Sequence, residues 1–408
     1  MVRTVAEIET ESRIRRGLSF APQDRRVAVV ADFLEEGWPS MDLAAELTSL
    51  AVAWQGGEAF IPAILRPQLP RLARRVRTLA AGTARNADRY VGRYFAYPRW
   101  LKRRAQRDFA LFHVIDQSYA HLVHVLPKGR TVVTCHDLDA FASVSGSDPE
   151  PRPYWFRATM HWVMSGLAKA AHVVCDSAAV RDELVRRELV PAARLSVVPL
   201  PVHPDFSPEP REGADAEVRR LLGPRDPDAP DLLHVGANMP RKNLPLLLRL
   251  FAELRSRDPA ARLVRVGGAL DDEQRALAAE LAIGDAILEL PFLDRPVLAA
   301  LYRHAAAVLL PSDREGYGWP VLEAMACGTP VVARDLPSLR EIAGDAAVFV
   351  PTDDARAWAA MVEGVLAGRG EELREAALER ARGFSLEAYG AALTAIYRRI
   401  LHMPEPSA

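Results

Sequence analysis

The run PSDREGYGWPVLEAMACGTPVVA at 311–333 holds the residues best suited to chemistry. It leaves an apolar segment, passes a glycine-rich loop and enters a short helical pattern. Pro320 suits the first helical position, and Gly328 suits the left-handed position after the helix end. The helix is therefore expected to begin just after Glu315-Gly316-Tyr317-Gly318. Its N-terminus would offer N–H groups and a positive dipole end to an anion such as phosphate, and the glycines would let backbone come close. Glu323 falls about one turn inside, where a carboxylate can accept hydrogen bonds from a ribose diol. Glu315, at the loop tip, is expected to meet sugar hydroxyls. Taken singly, either glutamate is more often a solvated acid beside a structural turn.

Of the 52 basic residues only four are lysine: Lys102, Lys128, Lys169 and Lys242. Lys242 stands in VGANMPRKN at 235–243, which reads as a strand end, a turn at Gly236 and a helix start. A lysine there can hold phosphate as a point charge, and Arg241 can add bidentate contacts. Cations at a helix N-terminus are poor electrostatics, so their placement points to a ligand. A third candidate is Thr134-Cys135-His136-Asp137 at the end of an apolar run. His136 could donate to a substrate hydroxyl or steady developing charge, with Asp137 orienting it. A satisfied structural histidine fits the same residues equally well. His121 and His124 have no third ligand near them in sequence, which argues against zinc.

These residues need strand ends to hold them. Short, unalternating apolar runs recur at 27–31, 112–115, 131–134, 172–175, 231–235, 262–266, 286–290, 306–310, 330–333 and 347–350. Amphipathic stretches such as 41–54, 243–256, 271–282 and 354–367 separate them. The pattern predicts an α/β protein with parallel sheets covered on both faces. Eight of the 31 prolines fall in residues 199–230, which predicts an extended linker between two α/β domains. The expected division is a first domain over 22–202, a second over 203–385 and a final helix over 386–402. Two such domains are expected to face each other across a cleft, with ligands at the carboxyl ends of the strands.

The 408 residues balance 52 basic against 53 acidic charges, so no overall field favours nucleic acid. Three scattered cysteines fit a reducing compartment, and no long apolar stretch is written, so a cytoplasmic chain without a signal peptide or membrane span is expected.

Taken together these runs resemble glycosyltransferase family 4, the large retaining family with the GT-B fold. Glu315-x7-Glu323 within GYGWPVLEAMACGTPVVA is similar to its donor-site signature, and PRKN at 240–243 to its diphosphate grip. HD at 136–137, CDSAAVRDEL at 175–184, VVPLPVHPDF at 197–206 and DLPSLREIAGDAAVFVPTDD at 335–354 resemble other segments of the family. The resemblance implies two Rossmann-like domains with a C-terminal helix crossing back to the first. It implies a donor site of Gly236, Arg241, Lys242, Glu315, Gly316, Tyr317, Gly318, Trp319, Val321 and Glu323. His136, Glu315, Lys242 and Arg241 are implied at the reacting centre, with His136, Asp137 and Trp38 on the acceptor side.

Ala237 stands where many members carry arginine, and DFLEEGWPSMD at 32–42 stands where many have a glycine pair. The implied reaction moves a hexose-like sugar from a UDP- or GDP-linked donor to a hydroxyl with retention, and needs no cofactor or metal. Asp137-Leu138-Asp139 matches the Asp-x-Asp spacing of a metal-binding glycosyltransferase fold, but the two-domain layout argues against that role. A glycan or lipid-linked acceptor is expected, in cell-surface glycan or glycolipid synthesis. Residues 66–107 carry 13 basic residues against one acid, interleaved with Tyr90, Tyr94, Phe95, Tyr97 and Trp100. Such a segment can lie on an anionic membrane surface, which would make the protein peripheral, or simply face water. A nucleotide-sugar epimerase of the same fold and a non-catalytic nucleotide-sugar sensor remain the competing readings.

Overall fold

The computed structural model describes residues 25–57, 59–70, 81–105, 109–141, 152–224, 226 and 229–403. Two compact units divide the chain. One is formed by the residues up to Pro201 together with those from Leu386 onward, the other by Val202–Ser385. Each encloses its own apolar core.

The first unit holds β1 (Arg26–Val30), β2 (Ile61–Leu65), β3 (Leu111–Val114), β4 (Thr131–Cys135), β5 (His172–Cys175) and β6 (Leu195–Val197). Their order across the sheet is β2-β1-β3-β4-β5-β6, and every pair is parallel. The second holds β7 (Asp231–Val235), β8 (Arg262–Val266), β9 (Ile287–Leu290), β10 (Ala307–Leu310), β11 (Val331–Arg334) and β12 (Val348–Val350). Their order is β12-β11-β10-β7-β8-β9, again all parallel. The central strands are buried along their length because crossover helices cover both faces. β2 escaped the sequence pattern because Pro62 breaks it; proline is tolerated there because β2 is an edge strand. β6 is only three residues long.

Each sheet has one place where the chain's crossovers part in opposite directions. In the first it lies between β1 and β3; in the second, between β7 and β10. The carboxyl ends of those strand pairs are the usual ligand position of open α/β sheets.

The proline-dense stretch is not all linker. A helix, Glu212–Leu222, forms inside it and packs on the helix Arg295–His304. The prolines flank residues 211–223 without entering them, and Glu212 and Asp215 favour the helix N-terminus. Arg303 ties this helix down through Asp215 at 2.9 Å. The final helix, Leu386–Leu401, packs on Pro39–Gly56 within the first unit. Tyr389 shares a hydrogen bond of 2.9 Å with Thr48, and Tyr397 one of 2.6 Å with His113.

Candidate active site

Lys242 and Arg241 lie in a single 3-10 turn, Pro240–Lys242, just after β7. The helix proper begins afterwards, with Asn243 as its cap accepting from the Leu246 N–H at 3.3 Å. The two cations therefore precede the helix rather than occupy its first turn. Gly236 makes room for the lysine: a Cβ there would stand 3.3 Å from Lys242 Cε.

Glu315, on the loop after β10, is not the exposed loop tip that the sequence suggests. Its carboxylate is buried and faces both cations, with Lys242 Nζ 2.6 Å from Oε1 and Arg241 Nη1 3.0 Å from Oε2. Burial alone would raise its pKa, but Lys242 and Arg241 outweigh that and hold it below the usual carboxylate range. Both of its oxygens already accept hydrogen bonds from these cations, so a sugar hydroxyl must compete with them.

The helix Trp319–Ala326 begins after Gly318, whose φ of 110° suits only glycine; a Cβ there would also strike Leu339 at 2.4 Å. Pro320 brings no N–H, and the Val321 N–H is already bonded to the Gly318 carbonyl at 3.0 Å. Val321 is fully buried as well. Trp319 and Tyr317 pack edge to face at 5.6 Å. Glu323 points inward, where the Tyr302 hydroxyl donates to its Oε2 at 2.8 Å. Burial pushes the Glu323 carboxyl up to about 7.

The first unit corrects the histidine reading. His136 is buried and both ring nitrogens are taken: Nδ1 lies 2.5 Å from Asp176 Oδ2, and Nε2 lies 2.7 Å from the Ile115 carbonyl oxygen. Both partners are acceptors, so both nitrogens donate and the ring is an imidazolium. Burial opposes that charge, but Asp176 overcomes it and lifts the pKa to about 9. His136 therefore keeps no free nitrogen for a substrate hydroxyl. Its orienting acid is Asp176, not Asp137. The Asp137 carboxylate instead accepts from Gln117 Nε2 and the Asp139 N–H, both at 3.0 Å. Register explains the exchange: Cys135 pairs with Cys175 across β4 and β5, so the next residues, His136 and Asp176, are neighbours. Trp38 stands exposed at the start of Pro39–Gly56. Among the described residues no group of three His, Cys, Asp or Glu side chains is placed to hold a metal ion.

Of the basic segment, residues 71–80, 106 and 107 lie outside the described residues. Its aromatics mostly turn inward. Tyr97 is fully buried and donates to the carbonyls of Ala31 and Leu65, while Tyr94 and Trp100 pack on the core. Only Phe95 is exposed among them; Tyr154 and Trp155, which the sequence pattern did not single out, are exposed as well. No helix among the described residues is long and apolar enough to cross a membrane.

Two open, all-parallel six-stranded sheets, one in each unit, are the architecture of the GT-B class. A family model described as Glycosyl transferases group 1 matches residues 223–384, and one described as Glycosyltransferase Family 4 matches residues 52–206. A D-inositol 3-phosphate glycosyltransferase of Geodermatophilus obscurus is 35% identical over 319 residues, covering 73% of this chain and 68% of the relative. The chain belongs to glycosyltransferase family 4. Among solved structures, sucrose-phosphate synthase from Thermosynechococcus elongatus superposes with a TM-score of 0.70 at 20% identity, over 93% of this chain and 99% of that one. The Anabaena protein HepE, solved in complex with UDP and glucose, gives 0.67 at 14% identity, over 91% and 98%.

Proposed function

We propose that this chain transfers a hexose-like sugar from a UDP- or GDP-linked donor to a hydroxyl acceptor, with retention at the anomeric carbon. The observation that carries the reading is the convergence of Lys242 and Arg241 on buried Glu315 at the edge between β7 and β10. A diphosphate arriving there exchanges one counter-ion for another, so the cations need not be built from solvent. As the bond from the anomeric carbon to the phosphate oxygen breaks, negative charge grows on the diphosphate, and Lys242 and Arg241 stabilise it. The acceptor oxygen bonds to the same carbon on the same face, and its proton passes to the departing phosphate oxygen. Neither a protein nucleophile nor a metal is needed in this scheme. Glu323, within the helix that follows the loop, reads the ribose diol. The sugar-bound relative HepE supports a nucleotide-linked donor.

The acceptor is a glycan or lipid-linked hydroxyl of cell-surface synthesis, and the enzyme works in the cytoplasm, on the inner face of the membrane. Tyr154 (87% exposed) and Trp155 support that location, because Trp155 lies 5.7 Å from Tyr90 and Tyr90 in turn 6.3 Å from exposed Phe95. Arg99 stands beside the Phe95 ring at 5.9 Å, so cations border the aromatics. Mass spectrometry of products from a panel of nucleotide sugars and lipid extracts, with proton NMR of the new linkage, tests the reaction and its retention. Full activity in EDTA is expected. Release of free nucleotide and an altered sugar without any acceptor would favour the epimerase.

A further inference from the structure

Two kinds of hydrogen bond join the turn Pro240–Lys242 to the loop after β10. One kind uses the cation head groups. Lys242 Nζ and Arg241 Nη1 donate to Glu315, and Arg241 Nη1 also donates to the Arg314 carbonyl at 3.1 Å. A diphosphate that takes these cations breaks their bonds to Glu315 just when the turn has to hold still. The other kind leaves the head groups out and runs through Asp313. Its N–H donates to the Arg241 carbonyl at 2.8 Å, and its carboxylate accepts from Asn243 Nδ2 at 2.7 Å.

Asn243 serves the turn, the helix and the opposite loop at once. Its backbone takes φ 50° and ψ 50°, a left-handed conformation that asparagine tolerates better than most residues. Its Oδ1 caps the helix Leu244–Arg257 by accepting from the Leu246 N–H, while its Nδ2 donates to Asp313. Arg334, at the end of β11, holds Asp313 from another strand, with Nη2 3.1 Å from the same carboxylate oxygen. Ser338 fixes the far end of the loop by donating to the Glu315 carbonyl at 2.7 Å. The loop is therefore pinned on both sides, and the turn is tied to it without Lys242 Nζ.

The sign of the charge makes Asp313 informative. It is a half-exposed carboxylate beside a site that is to take a diphosphate, and by field alone it repels that anion. Its value there lies in the geometry it imposes. Groups held in place beforehand bind without first losing conformational freedom, so a looser turn costs affinity for the phosphates and none for the nucleoside.

We propose that Asp313, acting through Asn243, is a positioning residue for the diphosphate: it keeps the Arg241–Lys242 turn in place once Glu315 has given up its cations. This rests on the glycosyltransferase reading and adds to it the residues that keep the grip rigid.

Titration calorimetry with UDP and GDP, and saturation-transfer NMR with uridine and guanosine, test it on the full chain. Asp313→Ala should weaken binding of the diphosphate roughly three- to tenfold, the scale of one hydrogen bond at a half-exposed site. Nucleoside binding should be unchanged. The direction is decisive, because removing an acid would by charge alone tighten an anion. Asn243→Asp keeps a good helix cap but removes the donor, and should weaken the diphosphate at least as much. Combining Asn243→Asp with Asp313→Asn exchanges donor and acceptor at the parent's net charge, and should recover most of the lost affinity. Three results would each overturn the inference: diphosphate affinity in Asp313→Ala at or above the parent's, an equal loss for the nucleoside, or a double variant no better than Asn243→Asp alone. A parent chain that binds neither UDP nor GDP would strike the donor reading itself, and the inference with it.

Discussion

The two carboxyl edges are built alike and charged oppositely. Both lie where crossovers part, and both bring together groups from loops that follow neighbouring strands. At the edge of β7 and β10, two cations share one carboxylate, Glu315. At the edge of β1 and β3, the carboxyls of Asp32, Glu36 and Asp116 gather about Arg93, and Arg89 also stands 3.6 Å from Glu36. Topology therefore fixes where a ligand sits, and the local charge count decides which ligand it is. In the proposed reaction the diphosphate displaces Glu315 from the cationic edge.

The sharpest way to break this contrast is to remove the lysine. Lys242→Met should lower turnover by roughly a hundredfold or more, the scale of one preorganised charge-stabilising group. It should also lower stability by about 1–3 kcal/mol, because Glu315 is left buried with Arg241 alone. Adding Glu315→Gln should restore most of the stability and none of the turnover. Denaturant unfolding and steady-state rates on the three proteins separate the two effects; full turnover in Lys242→Met would remove the lysine from the reaction.

The His136–Asp176 pair gives the first unit its own electrostatic signature. Its folded pKa, raised to about 9, means that its stabilisation is full below the unfolded value of about 6.5 and is lost as pH rises through about 9. The loss amounts to about 3 kcal/mol at most. Asp176→Asn should flatten that fall in urea unfolding between about pH 6 and about pH 10. An unchanged slope would mean that the ring is neutral.

Glu323 offers a smaller effect. Glu323→Gln should weaken binding of free nucleotide diphosphate by about 1.5–3 kcal/mol. In the parent, the carboxyl raised to about 7 favours the protonated form, so its contribution to stability is present at acid pH and lost as pH rises through 7. Ribose hydroxyls favour the ionised form. Nucleotide binding should therefore release a proton near pH 7 and tighten as pH rises through it, and the glutamine variant should lose that dependence. Equal affinity and no proton release would make Glu323 structural.

The surface contributes least per residue. Arg103→Glu with Arg104→Glu should weaken binding to anionic vesicles by about 1 kcal/mol per charge removed, more at low salt. Trp155→Ala should weaken it at every salt concentration. A parent chain that stays in the supernatant with anionic vesicles would end the membrane reading.

Much of this was legible in the residues. The β7 and β10 loops announce themselves through a rare lysine and two glycines, since backbone room and an isolated cation are both costly to write without cause. The sheets were legible because doubly covered strands need unbroken apolar runs. What the sequence could not convey was pairing across strands. Asp176 lies 40 residues from His136, and Asp116 lies 84 from Asp32; only parallel register makes them neighbours. The burial of Glu315 was hidden for the same reason, because an acid beside glycines reads as a loop tip until its partners are known. Tyr154 and Trp155 stand just after residues 142–151, outside the basic run that drew attention.

Titration calorimetry of UDP and GDP on the parent chain and on Lys242→Met isolates the role of the lysine, because it needs neither the sugar nor the acceptor. One of the two nucleotides should bind the parent, and the variant should bind it roughly ten- to a hundredfold more weakly. Parent-like affinity in Lys242→Met would contradict it, and would move the diphosphate away from the edge of β7 and β10.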